Sequence, residues 1–200
     1  MPLEIVELPH DPEGVQLNVE KIKTFRLVSL QVSPEAFSST YAREIAFTDD
    51  IWVQRLSNPL ATTFIARESG EIVSTSTILG PLDDDLDKLL LAGNPWTAIA
   101  DGLTCAGPVL YFRINGMFTH PEARGQGIAS RLIKQALAFA EARAASLGKE
   151  FAVSIAVKAA NTAAKALYEK CGFTTVQEEI HSAADPNAIL LMVYEPSGPS

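Results

Sequence analysis

From Leu3 to Leu8 apolar and acidic residues alternate, with Leu3, Ile5 and Leu8 apolar and Val6 between them, and Pro9 and Pro12 close what reads as a first strand. Between Val15 and Gln31 the apolar residues Leu17, Ile22, Phe25, Leu27, Val28 and Leu30 recur at helical spacing. Ser33-Pro34 breaks that pattern. A second helical stretch runs from Ser39 or Thr40 to Leu56, carrying Tyr41, Ile45, Trp52 and Leu56, and Asn58-Pro59 ends it. Thr62–Arg67 and Glu71–Leu79 are rich in β-branched residues and flank Glu68-Ser69-Gly70, a hairpin signal. Val109 to Thr119 is a mostly apolar strand stopped by Pro121. A helix starts near Gly127 and continues through Leu132, Ile133, Leu137 and Phe139 to about Leu147, where Gly148 stops it. Glu150–Val157 is a strand and Asn161–Cys171 an Ala-rich helix. Phe173–Ile180 and Ile189–Tyr194 are two last strands joined by a polar loop holding Asp185-Pro186-Asn187.

The predicted order is strand, two helices, a three-strand run, helix, strand, helix, two strands. That is one mixed α/β (α+β) domain over residues 1–195, its sheet not purely parallel and its helices on both faces. Residues 80–108 interrupt it. The acidic run Asp83-Asp84-Asp85, then Leu89-Leu90-Leu91, Gly93, Pro95, Gly102 and Gly107, predicts a surface insertion with one short helix, either a solvated excursion or a substrate-side loop. The tail, 196–200, is expected to be disordered.

One stretch organises the rest. Asn115 to Ala140 reads as strand end, two glycines (Gly125 and Gly127), then helix start. Unpaired N–H groups and the positive end of a helix dipole meet at such a point, which makes it an anion site. The two glycines let the backbone approach a bulky anion. The amides of Gln126, Gly127, Ile128, Ala129 and Ser130 are its expected donors, and Arg124 adds a charge-assisted bond.

Charge limits the partners. The chain of 200 residues has net charge −8 and a pI near 4.9. An acidic surface argues against nucleic acid as the main partner. It leaves local anion binding by backbone amides open, and it favours a cationic acceptor such as a polyamine or a lysine-bearing peptide. Cys105 and Cys171 are far apart, and His10, His120 and His181 are scattered, so neither a disulfide framework nor a metal cluster is visible. The N-terminus lacks the pattern of a signal peptide, and no apolar run approaches the roughly 20 residues of a membrane span. A soluble cytoplasmic protein is the expectation, as a monomer or homodimer.

Arg124-Gly125-Gln126-Gly127-Ile128-Ala129, with the element order, resembles the GNAT superfamily of acyl-coenzyme A dependent N-acyltransferases. The pyrophosphate loop of that family has the form [Gln/Arg]-x-x-Gly-x-[Gly/Ala]. The preceding Met-Phe-Thr-His-Pro-Glu resembles the segment leading into that loop. Asn161-x-x-Ala164-x-x-Leu167-Tyr168-x-x-x-Gly172-Phe173 resembles a second signature, and Pro34–Tyr41 is similar to a segment between the first two helices. The resemblance implies a mostly antiparallel central sheet, acetyl-CoA as cosubstrate and a primary amine of a small molecule or peptide as acceptor. It further implies that the backbone of Met117, Phe118 and Thr119 binds the pantetheine arm and polarises the thioester. Tyr168 would then donate a proton to the departing thiolate, unless it is only a packed aromatic. Asn161 is either a contact to the cofactor arm or a helix N-cap. No metal is implied.

The implied reaction is direct attack of a neutral amine, so something must take its proton. Glu44, Glu71 and Asp83 are the candidates; Glu122 reads as solvated and His120 as exposed on the turn side. Arg113, Asn115 and Tyr111 offer no base at neutral pH, and Cys171 has no adjacent basic partner. A catalytically silent acyl-CoA sensor is the competing reading. A nucleotide-phosphate binder is weakened because Ile128 and Ala129, not Lys-Ser/Thr, follow Gly127.

Overall fold

Asp11 starts the first helix. Its carboxylate accepts the Gly14 amide at 3.0 Å, and Pro12 takes the first position of α1 (Pro12–Val32). The helix therefore begins three residues before the expected Val15. A proline has no N–H to lose at that position and its fixed φ suits a helical start, so Pro12 opens a helix rather than only closing a strand. In the computed structural model, residues 3–82, 108–182, 185–194 and 196 are described, with residues 179–182 and 185–187 described by backbone alone.

The second helical stretch is two short helices rather than one. Thr40 caps α2 (Tyr41–Glu44) by accepting the Arg43 amide at 3.3 Å. The chain breaks at Thr48, which is extended, and α3 (Asp49–Leu56) restarts with Asp49 and Asp50 in its first turn. Acidic residues are favoured there by the helix dipole. The break brings Phe47 back against Trp52, ring centroids 6.0 Å apart.

Seven strands form one sheet in the order β1-β2-β3-β4-β5-β7-β6. They are β1 (Glu4–Glu7), β2 (Ala61–Glu68), β3 (Glu71–Leu82), β4 (Val109–Thr119), β5 (Glu150–Lys158), β6 (Thr174–Ser182) and β7 (Asp185–Tyr194). Every pairing is antiparallel except β4 with β5. Two boundaries differ from expectation. Gly80, Pro81 and Leu82 still belong to β3, with Leu82 opposite Tyr111; the rest of the expected insertion, with its short helix, Asp83 and Cys105, lies outside the described residues. Asp185-Pro186-Asn187 is strand rather than loop, with Ser182 opposite Asp185 and Ile180 opposite Ala188. Pairing of β7 with β5 stops at Ile189, so this segment has one neighbouring strand, where a proline is tolerated.

Helix α4 (Ile128–Ser146) covers one face of the sheet, with Leu132, Ile133, Ala136 and Ala140 packed over Phe64, Ile78, Phe112 and Ile155. Helix α5 (Thr162–Lys170) joins the same core through Tyr168. On the opposite face Val15 and Val19 of α1, and Trp52 and Leu56 of α3, pack on Leu8 and Ile65. Among the described residues, no helix is long and apolar enough to cross a membrane.

Candidate active site

The sheet opens at its centre. Strands β4 and β5 pair from Val109–Glu150 to Ile114–Ile155 and no further. Beyond that point β5 continues beside β7, while β4 stays with β3. A bulge drives the parting: Thr77 lies opposite Asn115 but Thr75 opposite Phe118, so β4 carries one more residue than β3 over that step. An extra residue bends and twists its strand. Gly116, inside the bulge, has φ of +61°. Carbonyls on the β3 side are engaged by hydroxyls: Thr75 donates to Gly116 at 3.0 Å and Ser74 to Phe118 at 2.8 Å. Among the described residues, the other edge of Asn115–Thr119 has no strand partner.

The chain then turns through Pro121–Ala123 into the two glycines. Gly125 and Gly127 have φ of +78° and +74°, and a Cβ on either would meet open space. Positive φ, not crowding within the chain, is what requires glycine at both. Among the described residues, no backbone acceptor faces the amides of residues 125 to 130; the first satisfied amide is Arg131, donating to the Gly127 carbonyl at 3.1 Å. Six consecutive N–H groups, at the turn and the first residues of α4, thus have no backbone acceptor among the described residues. Arg124 is engaged within the chain. Its Nε donates to the Thr119 carbonyl at 3.0 Å and one Nη to Ser33 Oγ at 3.1 Å, tying the end of β4 to the end of α1.

Across the opening stands α5. Asn161 caps it by accepting the Ala164 amide at 3.1 Å. Tyr168 is buried in the wall of the cleft. Burial, with a smaller contribution from Cys171, raises the phenol further above its ordinary 10, so it is a proton donor throughout the neutral range.

Met117, Phe118, Thr119, Arg124, Gly125, Gly127, Ile128, Ala129, Ser130, Asn161 and Tyr168 all line one cleft of about 850 Å³. Gln126, exposed, is the exception, and its side chain is outside that wall. Phe118 is buried between Phe25 and Phe37, ring centroids 5.6 and 6.0 Å away. Phe37 comes from the Pro34–Tyr41 segment, which walls the cleft opposite the splayed strands.

The cleft continues under α1, α2 and α3, where sequence reasoning found little. Arg26 grips Glu44 with two hydrogen bonds, Nε to Oε2 at 3.1 Å and Nη2 to Oε1 at 2.7 Å, and Arg55 adds a third at 3.0 Å. Burial pushes the Glu44 carboxyl up, but the hydrogen bond and charge of Arg26, a bond from Ser39 and the charge of Arg55 outweigh it and hold the group at about 2. Glu44 is therefore no proton acceptor at neutral pH. Glu71 and Glu122 are exposed and outside the cleft lining. Among the described residues, Glu44 is the one carboxylate in that lining. His120 is half-buried rather than exposed, its Nδ1 3.9 Å from Glu122. The floor is polar: the Thr63 and Thr77 hydroxyls bond at 2.9 Å, beside Arg113 and Asn115. The residues of this arginine–carboxylate group lie 11 and 18 positions apart on three helices, a spacing with no local signature. A glycine within a strand pattern was the available signal for the bulge at Gly116.

Residues 28–173 match the family model described as Acetyltransferase (GNAT) family. Comparison with curated protein sequences returns no significant match. Solved structures share the fold at low identity. An acetyltransferase of the GNAT family from Streptococcus pneumoniae is 18% identical with a TM-score of 0.64, over 98% of this chain and 100% of that one. The ribosomal-protein-S18-alanine N-acetyltransferase from Escherichia coli is 13% identical, TM-score 0.61, over 100% and 97%. A Salmonella typhimurium protein solved with its cofactor acetyl-CoA is 12% identical, TM-score 0.58, over 100% and 97%. The family match covers well over half of the chain, including the splayed strands, the glycine turn and Tyr168, and the chain accordingly belongs to the acetyltransferase (GNAT) family.

Proposed function

We propose that the protein transfers an acetyl group from acetyl-CoA to a primary amine by direct attack. The observation that carries this reading is the row of six unpaired amides at Gly125–Ser130, opening onto the same cleft as the free edge of β4 and Tyr168. When bound, acetyl-CoA supplies an activated acetyl thioester. The residues present fit it. The amides of residues 125–130 suit a diphosphate, an anion too large for a turn whose glycines carried side chains. The free backbone edge at Met117, Phe118 and Thr119 offers N–H and C=O groups to a pantetheine amide and to the thioester carbonyl. Asn161 spends its Oδ1 on the helix cap and keeps its Nδ2 for a ligand.

Tyr168 holds the proton that a thiolate leaving group needs. Its raised pKa keeps the Oη protonated, and a thiol near 8.5 is a weaker base than phenolate, so the transfer is a shared or restored proton rather than full ionisation. Arg124 positions the end of β4 through its Nε and one Nη, and its other Nη is the group that would reach an anion. The solved relative from Salmonella typhimurium, named with acetyl-CoA, supports the choice of cosubstrate.

The test is thiol release from acetyl-CoA over a panel of amines, with the acetylated product identified by mass. Release that requires an amine, and that is lost in Gly127→Trp, is expected. Tight binding of acetyl-CoA with no release for any amine would instead identify an acyl-CoA sensor.

A further inference from the structure

The protein is acidic, but among the described residues its cleft is basic: seven lining residues are Lys or Arg and one is a carboxylate, against a net charge of −8 for the chain. Arg124, Lys158 and Lys170 lie near the splayed strands and α5. Arg26, Arg43 and Arg55 gather at the other end, beneath the first three helices, with Glu44 as the lone anion among the described residues.

From this we infer that the acceptor amine also carries a carboxylate, and that this end of the cleft selects it. The inference rests on the acetyl-transfer reading above. Glu44 is already spent on Arg26 and Arg55. Those two guanidiniums are also held by ring faces, Arg26 4.5 Å over Phe37 and Arg55 4.8 Å over Phe47 and 5.0 Å over Trp52. An aromatic face fixes a cation in place without cancelling its charge. Arg43 is exposed at the mouth of the same group. A second observation points the same way. Trp52 Nε1 and Asn115 Nδ2, both in lining residues, are buried N–H groups with no acceptor among the described residues. Such donors are rarely left unmet without reason. Cations and spare donors together call for an anionic, acceptor-rich group, and a planar carboxylate matches guanidinium geometry.

The overall charge thus points to the wrong acceptor. A polyamine would bring ammonium groups against Arg26, Arg43 and Arg55. The same field helps the chemistry, because nearby positive charge disfavours the ammonium form and so releases the neutral amine that must attack. The arginines favour the neutral amine but cannot take its proton, which leaves to water.

The experiment uses α-, β- and γ-amino acids, each paired with its carboxamide, and spermidine as the cationic control. For at least one pair, kcat/KM of the carboxylate is expected to exceed that of the amide by about tenfold or more, the size of one charge-assisted contact. Arg43→Gln should shrink that ratio, Arg43→Lys restore most of it, and Arg43→Glu invert it. Equal rates within every pair, or a preference for spermidine, would overturn the inference while leaving acetyl transfer intact. Calorimetric binding of the same pairs to the CoA-saturated protein reads the preference without turnover. A carboxylate preference there, with no thiol release, would sink the transfer reading and leave a carboxylate-selecting cleft with no acceptor role; no preference in binding would sink the inference itself.

Discussion

The two ends of the cleft are built from different material. The donor end is backbone. Its amides come from six consecutive residues, and its strand edge from the five before His120. The end proposed for the acceptor is side chain. Arg26, Glu44, Arg55, Thr63, Thr77 and Arg113 arrive from three helices and three strands. The difference shows in what each end demands of the sequence. A row of bare amides needs only glycines at positive φ and a helix start, so the requirement is local and periodic. A charge group needs residues that meet only after the chain has folded, and any one of them reads alone as a surface arginine or a solvated acid.

The largest expected effect breaks the donor end. Gly127→Trp forces a side chain into the space where an anion would sit and strains φ, so calorimetry should show acetyl-CoA affinity falling by about a thousandfold, roughly 4 kcal/mol. Far-UV circular dichroism should stay unchanged, since a Cβ at Gly127 meets no protein atom within 4 Å. If affinity survives, the amides are not the diphosphate site.

Next comes the acceptor end, where the failure should be in stability instead. Glu44→Gln leaves Arg26 and Arg55 facing each other across a neutral amide, and breaking such a buried pair costs about 3 kcal/mol. Urea unfolding checks it, and acetyl-CoA affinity should barely move. The pH dependence has the matching sign. Glu44 is held near 2 when folded, below its ordinary 4.5. Its contribution is complete above about pH 4.5 and is lost as pH falls toward 2. Acid unfolding of the wild type should steepen in that window and that of Glu44→Gln should not.

Smaller effects sharpen the boundary between the ends. Arg124→Gln removes two bonds joining the end of β4 to α1 and should cost about 1 kcal/mol of stability. It should lower kcat more than it weakens cofactor binding, because it loosens the strand edge and leaves the amides of residues 125–130 in place. The rate should also rise with pH through the acceptor amine's own titration and then stay level to pH 10, because burial keeps Tyr168 protonated there.

Legibility in the sequence follows the same division. Val109–Thr119 was readable to the residue, as an apolar run between a proline-rich segment and Pro121. The start of α4 was readable from Gly127. Asn161 satisfied one of its two readings directly, as a cap through Ala164, without excluding the other. The break between α2 and α3 was not readable, because Tyr41, Ile45, Trp52 and Leu56 keep a helical spacing across it and the interruption is made by Phe47 turning onto Trp52. Glu44 drew notice as a possible base, but its two arginine partners are distant in sequence, so its role as their anchor emerged only from the fold. The total charge carried no information on the cleft, since −8 sums the whole chain while the described lining residues hold seven Lys or Arg and one carboxylate.

In the proposed reaction this cleft turns over acetyl-CoA and Tyr168 protects the leaving group. The most direct measurement is steady-state thiol release with an accepted amine, in the wild type and in Tyr168→Phe, alongside calorimetric affinity for CoA. The account predicts that Tyr168→Phe binds CoA within about twofold of the wild type while kcat falls by roughly a hundredfold, the lower range for loss of a general acid. An unchanged kcat in Tyr168→Phe would contradict it and return that tyrosine to the core.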